Sequence, residues 1–576
     1  MSSSENRLTP DGLLAGLDEQ QRVAAEALIG PVCMLAGAGT GKTRAITHRI
    51  AYGVMTGAYA PNRVMALTFT SRSAAELRGR LRQLGAGGVA ARTFHAAALS
   101  QLNYFWPHVV GGQAPRILDS KARLLGHAAE TLQLKIDTAT LRDLSAEIEW
   151  RKTSGLSMEA YAAAIASRSL PGRLDLDQVL AMQNRYERIK DERKQIDFED
   201  VLLAMAGMIE AEPSVALQVR EQYRFFVVDE FQDVSPLQYQ LLRLWLGERR
   251  DLCVVGDASQ TIYSFAGARS DYLMEFPGRY EDATVVRLEQ NYRSTGAIVA
   301  TANQLMRGRA GALTLHAAAS ESGVQPSVRD YTSDLAEARG VAQSVFELIE
   351  SGTRPEDIAV LFRINVQAQV FETAFGDLGI SFQIRGSKRF FDLPEVKQAV
   401  MSLRAASVSI VGEPLFKSVS DVLRSLGWSQ TAPEAPGAVR SRWESLNALM
   451  GLVDQAAADT TFRQFTDELM ERQAGQHEPT VSAVTLSTMH SAKGLEWDAV
   501  FVVGLSEGLL PISYATNFDL VDEERRLLYV GITRARLRLS LSWAATGPQA
   551  RAPRERSRFL AELGIRSGRA AGARGA

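Results

Sequence analysis

The chain has 576 residues, 46% of them hydrophobic and 23% charged, with a formal net charge of −2. This is the composition of a globular protein with real cores, and at about one domain per 150 residues it predicts roughly four domains. No run of about twenty apolar residues occurs, so no membrane span is expected; the near-neutral charge excludes a surface that is basic throughout, so any nucleic-acid binding must come from a local channel.

The first residues, Met1 to Arg7, lack the apolar core of a signal peptide, and the expectation is a cytoplasmic protein. Residues 17 to 24 follow, with Gln21 upstream of the first apolar run. A glutamine can bond the N6/N7 edge of adenine in two places, so Gln21 is a candidate base reader, although a glutamine on a helix is ordinarily just solvated. Val32 to Leu35 then read as a buried strand that breaks into Ala36-Gly37-Ala38-Gly39-Thr40-Gly41-Lys42-Thr43, and a helical pattern continues from Arg44. Strand, glycine-rich loop and helix in that order make a phosphate-binding loop. Its backbone N–H groups and the helix N-terminus face the anion; Lys42 reaches the β/γ-phosphates and the Thr43 hydroxyl binds Mg²⁺. Ala36 stands where the usual pattern opens with glycine. These eight residues and Arg44 are assigned to the ATP site. Cys33 and Cys253, the only cysteines, both sit in apolar strand-like runs and read as reduced core residues.

A second strand ends in Thr68-Phe69-Thr70, and a similar turn, Ala91-Arg92-Thr93-Phe94-His95, comes next. Hydroxyls, helix N-termini and aromatics at strand ends suit the phosphates and bases of a single strand. Taken alone, Phe69 and Phe94 read as core. From about 109 to 203 helical periodicity dominates, after which Phe225-Phe226-Val227-Val228 ends in Asp229-Glu230. A strand of this kind lies beside the phosphate loop, so the helical stretch reads as an insertion into one α/β domain. Asp229 would hold Mg²⁺ and Glu230 would take the proton of the attacking water. Another strand opens Leu252 to Phe265, with Gln260 where a γ-phosphate sensor would sit, and Leu288 to Thr295 carries Tyr292 and Arg293.

The order of these motifs resembles the UvrD/Rep/PcrA family of superfamily 1A DNA helicases. Ile358 to Asn365, Met489 to Trp497 and Glu523 to Ala535 extend the likeness, which runs from about residue 16 to Phe559. The resemblance implies an α/β fold of two RecA-like P-loop domains, each interrupted by a mainly helical insertion. The first domain takes 1–108 and 204–285 around an insertion at 109–203. The second takes 286–396 and 480–563 around a short insertion at 397–479, and 564–576 form a disordered basic tail. It implies an ATP-dependent 3′-to-5′ helicase, with ATP as substrate and Mg²⁺ as cofactor. Lys42, Asp229, Glu230, Gln260, Arg293 and Arg534 are its catalytic residues, the two arginines acting as fingers on the γ-phosphate. Tyr292 stacks on adenine whose edge Gln21 reads, and Glu496 lies near the ribose and metal. Phe69, Tyr263 and Phe265 grip bases, with Thr93, His95 and His490 at backbone contacts. Where the family has an aromatic followed by Arg, Ala266 follows Phe265 and one cationic contact is missing. The partners that the resemblance implies are single-stranded and junction DNA and proteins of DNA repair or replication, on the nucleoid and away from membranes. Two other readings are a translocase that displaces proteins without processive unwinding, and a subunit of a helicase–nuclease.

Overall fold

The computed structural model describes residues 9–165, 170–172, 174–319, 322–385, 391, 393–410, 412–431, 438–454, 456, 460–475, 482–547, 553–565 and 567–569. Residues 1–8, 432–437, 476–481 and 570–576, which take in the N-terminal stretch, parts of the short insertion and most of the expected tail, lie outside them. The chain divides into two compact units, Met1–Gly37 with Gly41–Leu288, and Ala38–Thr40 with Glu289–Ala576.

The strands of the first unit are β1 (Val32–Ala36), β2 (Val64–Thr68), β3 (Ala90–Thr93), β4 (Arg116–Ile117), β5 (Gln195–Ile196), β6 (Phe225–Val228), β7 (Leu252–Gly256) and β8 (Thr284–Leu288). Six of them form one sheet in the order β3-β2-β6-β7-β1-β8, with every neighbouring pair parallel. A parallel sheet must be covered on both faces, which is why its strands read as unbroken apolar runs. Cys33, Leu67, Phe226 and Val254 pack on one side with Leu241 and Trp245. Val32, Met34, Ala66 and Val227 pack on the other with Ile46, Ile50 and Leu77. Because the strands are parallel, their carboxyl ends share one edge, the usual place for a ligand in an open α/β sheet. The phosphate loop and the Phe69 and Asp229–Glu230 motifs each begin where a strand stops.

The helices Lys121–Thr131, Thr138–Thr153, Met158–Ala164 and Leu176–Glu192 lie between β4 and β5, which pair with each other. They bury a core of their own that includes Leu125, Leu144, Ile148, Tyr161, Val179 and Tyr186.

In the second unit the strands are β9 (Gln290–Asn291), β10 (His316–Ala317), β11 (Ser327–Tyr331), β12 (Ile358–Phe362), β13 (Phe382–Arg385), β14 (Val484–Thr488), β15 (Trp497–Val502), β16 (Ala535–Ala544) and β17 (Ser567–Arg569). Seven form a sheet in the order β13-β14-β12-β15-β16-β11-β17, again parallel throughout. The helices Pro394–Ala406, Leu415–Ser425, Ala438–Asp454 and Phe462–Gly475 enclose a separate core around Val396, Leu403, Val419, Leu446 and Phe465. The fold class is therefore the expected one, two parallel-sheet α/β units. One expectation needs correction: Ser567–Arg569, placed in a disordered tail, forms β17 on β11. Without it β11 would leave a row of unpaired backbone groups at the sheet edge.

Glu337 is a buried carboxyl in this unit. Its Oε1 accepts the Gly504 N–H at 3.0 Å and the Ser542 hydroxyl at 2.6 Å. Burial pushes it up from its ordinary value to about 7. Among the described residues no helix is long and apolar enough to cross a membrane.

Candidate functional site

The chain leaves β1 at Ala36 and turns through glycines with left-handed backbone, Gly39 at φ +71° and Gly41 at φ +78°. Only glycine takes this conformation cheaply. A side chain on Gly41 would also strike Gln21, whose Nε2 lies 2.7 Å from where the Cβ would stand. The helix Lys42–Met55 opens with no side-chain cap, as a helix end meant for an anion should. The Lys42 Nζ is buried without a hydrogen-bond partner. Its nearest counter-charge is Glu230 Oε1 at 4.0 Å. A buried ammonium left in that state is costly, and phosphate oxygens would satisfy it.

β6 delivers Asp229 and Glu230 to the same edge. Glu230 adopts a left-handed φ of +53°, and its N–H donates to Asp229 Oδ1 at 3.0 Å. Burial, and then the neighbouring Glu230 carboxylate, push Asp229 up to about 7. The Gln232 amide donates to Glu230 Oε2, and its Oε1 accepts the Asp257 N–H at 3.0 Å. Gln260 then donates to Asp257 Oδ2 at 2.8 Å. Asp229, Glu230 and Gln260 thus share one hydrogen-bonded chain, through Gln232 and Asp257, two residues that sequence reasoning missed. Burial also raises Asp257. Among the described residues no group of three or more His, Cys, Asp or Glu could hold a metal. The donors present fit a hard divalent ion that takes most of its oxygens from phosphate and water: a Thr43 hydroxyl and a crowded Asp229 carboxylate that a cation would ionise.

At the base end, Gln21 is 2% exposed. Asp18 caps its helix, Glu19–Glu26, in a reciprocal capping box: Gln21 N–H donates to Asp18 Oδ1 at 2.7 Å. The C-terminus of that helix is held by Arg49, whose guanidinium donates to the carbonyls of Ala24 at 2.9 Å, Ala27, and Leu28 at 3.2 Å. Arg49 was not singled out in the sequence, and it is fully buried. Arg44, an expected ATP contact, donates to the Gly16 carbonyl at 2.6 Å.

The second unit carries the remaining expected nucleotide residues. Arg293 Nε donates to Glu496 Oε2 at 2.5 Å and its NH1 to the Thr533 carbonyl at 3.2 Å. Arg534 is buried, and its guanidinium donates to Val530 O at 2.9 Å, Leu495 O at 3.1 Å and Thr533 Oγ1 at 3.0 Å. Asn291, another residue missed in the sequence, donates to Ala38 O at 2.7 Å and accepts the Arg293 and Ser294 N–H groups at 2.9 and 2.8 Å. Beside it Tyr292 is exposed, while its N–H donates to Gly39 O at 2.8 Å.

A run of aromatics occupies the strand ends of the first unit. Phe69 stacks on Tyr263 at 5.3 Å between centroids, and Phe265 stands edge-on to Tyr263 at 6.0 Å. Phe265 is 59% exposed and Phe69 42%. Thr93 caps the helix Phe94–Val109 by accepting the Ala96 N–H at 3.1 Å. His95 lies edge-on to Phe198 at 5.9 Å, and Phe198 is itself exposed; the only sequence cue to it is an aromatic after Asp197. Burial, then Lys121, lower His95 to about 4, so it is a neutral ring at pH 7. Phe94 is core, stacked on Trp245. In the second unit, burial and then Arg363 and Lys493 lower His490 to about 4.

A family model described as the UvrD/REP helicase N-terminal domain matches residues 17–281, and one described as the UvrD-like helicase C-terminal domain matches 286–408 and 414–546. The chain is 47% identical to the ATP-dependent DNA helicase UvrD2 of Mycobacterium tuberculosis, across 96% of this chain and 82% of that protein. It is 30% identical to DNA helicase II of Escherichia coli, across 93% of this chain and 85% of the relative. Identity to the ATP-dependent DNA helicase PcrA of Bacillus subtilis is 27%, across 92% and 83%.

Proposed function

This chain belongs to the UvrD/REP helicase family, and from that premise we propose that it is an ATP-dependent DNA helicase that moves 3′ to 5′ along a single strand. The observation that carries the reading is the buried ammonium of Lys42, which makes no hydrogen bond and faces the Asp229–Glu230 pair. It is the arrangement a phosphate tail would complete. Lys42 takes the β/γ-phosphates, and Ala36, Gly37, Ala38, Gly39, Thr40 and Gly41 wrap them. Thr43 and Asp229 would hold Mg²⁺, which supplies charge neutralisation at the phosphates. Glu230 accepts the proton of the attacking water, and Gln260 reports on the γ-phosphate. Arg293 and Arg534 stabilise the charge of the transition state. Gln21 and Tyr292 recognise the adenine, and Glu496 lies by the ribose.

Phe69, Tyr263, Phe265 and Phe198 provide stacking faces that accept any base. Thr93, His95 and His490 contact the backbone. The neutral state of both imidazoles makes them hydrogen-bonding groups rather than charges. The substrate is single-stranded and junction DNA, in repair or replication on the nucleoid. The test is ATP hydrolysis measured with single-stranded DNA, duplex DNA and RNA. Stimulation by single-stranded DNA above the other two is expected; equal rates on all three would remove DNA as the track.

A further inference from the structure

A charged cluster that includes none of the phosphate-loop residues is buried in the first unit. Lys152 and Lys190 are each almost fully buried, and Asp197 is 1% exposed. Lys152 Nζ donates to Asp197 Oδ2 at 2.7 Å and Asp200 Oδ1 at 2.6 Å, and pairs with Glu187 at 2.9 Å. Lys190 Nζ donates to Asp197 Oδ2 at 3.2 Å and to Asp200 Oδ2, and pairs with Glu187 at 2.6 Å. The Tyr186 hydroxyl adds a third donor to Asp197 Oδ2 at 3.0 Å. Burial alone would raise Asp197, but the two ammonium groups outweigh it and hold the carboxyl below its ordinary value.

The cluster joins the ends of two helices, and each end abuts an exposed aromatic. Asp197 and Asp200 cap the helix Phe198–Ala211 reciprocally, each side chain accepting the other's N–H at 3.0 Å. The first residue of that helix is Phe198. Lys152 is followed by Thr153, the last residue of the helix Thr138–Thr153. The Thr153 hydroxyl lies 3.1 Å from the Ala266 carbonyl, next to Phe265. It also lies 2.8 Å and 3.2 Å from the Glu149 and Trp150 carbonyls, so its one proton is shared. Gly267, at φ +90°, lets the loop approach: a Cβ there would meet Thr153 Oγ1 at 2.8 Å. A buried ion cluster is a poor source of stability compared with apolar packing, and fixing one geometry is its best-attested use.

We propose that the Lys152–Lys190–Asp197–Asp200 cluster sets the positions of Phe198 and Phe265, which makes Lys152 a positioning residue for single-stranded DNA. The proposal rests on the reading of Phe265 as a base-stacking residue. Lys152 touches no DNA on this account. It ties the helix end that abuts the Phe265 loop to the helix start that carries Phe198.

The test is a double-mutant cycle on the full chain, read as the Kd for a fluorescent oligothymidylate. Lys152→Met is expected to raise Kd about tenfold, within the range of a lost stack, while DNA-free ATP hydrolysis and the KM for ATP stay within about twofold. Adding Phe265→Ala to Lys152→Met should then cost much less than Phe265→Ala costs alone, because the ring is already misplaced. Thr153→Val leaves the ion cluster intact and should show the same shortfall, so the proposal stays testable if Lys152→Met does not fold. Additive losses for both variants would overturn the proposal while keeping Phe265 as a stacking residue. No effect of Phe265→Ala alone would remove the stacking reading, and the proposal with it.

Discussion

The Lys42 ammonium stands 4.0 Å from the Glu230 carboxylate, close enough for attraction but too far for a hydrogen bond. Lys42 Nζ makes no hydrogen bond that its loss would strip from the fold, and Glu230→Gln keeps an oxygen for the Gln232 amide that Glu230 accepts. Lys42→Ala and Glu230→Gln should therefore abolish hydrolysis and leave the melting transition nearly unchanged. Glu230→Gln should still bind ATP, as a fluorescent nucleotide analogue would report. Normal turnover in either variant would remove the roles assigned here.

The two arginines differ in what else they hold. Arg534 donates to two carbonyls and a hydroxyl, whereas Arg293 pairs with a half-exposed Glu496 and donates to the single carbonyl of Thr533. Either change to alanine should lower kcat by about 10³-fold if the side chain stabilises the transition state. Arg534→Ala should in addition destabilise the fold by about 1–3 kcal/mol for each carbonyl stripped of its donor. Thermal melting beside steady-state kinetics separates the two. A loss confined to KM would mean that the arginine holds only the ground state.

Phe265→Ala should weaken single-strand binding by about 1–3 kcal/mol whatever the sequence. The ring is 59% exposed, so little core packing is lost with it. Anisotropy titrations with homopolymers of different base would show a uniform loss; unchanged affinity would mean that the ring does not touch DNA.

Glu337 predicts a pH dependence of stability. Its folded value, about 7, lies above the 4.5 of a free glutamate. Between those limits the folded state binds more protons than the unfolded one, so stability falls as pH rises from about 4.5 to 7 and then levels off. The full penalty is on the order of 3 kcal/mol. Glu337→Gln keeps an acceptor oxygen for Gly504 and Ser542 without the charge. Its melting temperature should match the parent at pH 4.5 and exceed it at pH 8. A constant difference across that range would show that Glu337 is ionised at no cost.

The helices between Pro394 and Gly475 form a small body with its own core. A small body offers few Lys/Arg contacts to duplex phosphates, which means weak duplex binding with a shallow salt slope. The isolated chain should hydrolyse ATP well on single-stranded DNA and unwind long duplexes poorly. Single-turnover unwinding of duplexes of increasing length, with a DNA trap, would decide this; length-tolerant unwinding by a dilute monomer would refute it.

Much of the site was legible because a parallel sheet writes itself into sequence as apolar runs, and the residues after each run are the ones brought to the common edge. Lys42, Asp229, Glu230 and Gln260 could be found in that way. Partners across the chain could not. Asn291 and Ala38 are 253 residues apart, and no local pattern connects them. Arg49 and Lys152 look like helix-surface cations until the fold buries them against carbonyls or carboxylates. Phe69 and Phe94 occupy matching turns, yet one is exposed and the other is core. That outcome depends on what packs against each turn, Tyr263 in one case and Trp245 in the other.

Arg49 belongs to the helix that begins at Lys42, and it grips the carbonyls that end the helix of Gln21. One rigid rod therefore fixes the spacing between the proposed phosphate grip and the proposed base reader, in the manner of a gauge. On that reading a nucleotide would be judged by span as well as by bonds. One whose base and triphosphate lie at the wrong separation would fail even when it presents every acceptor that adenine does, since the two ends could not be seated together.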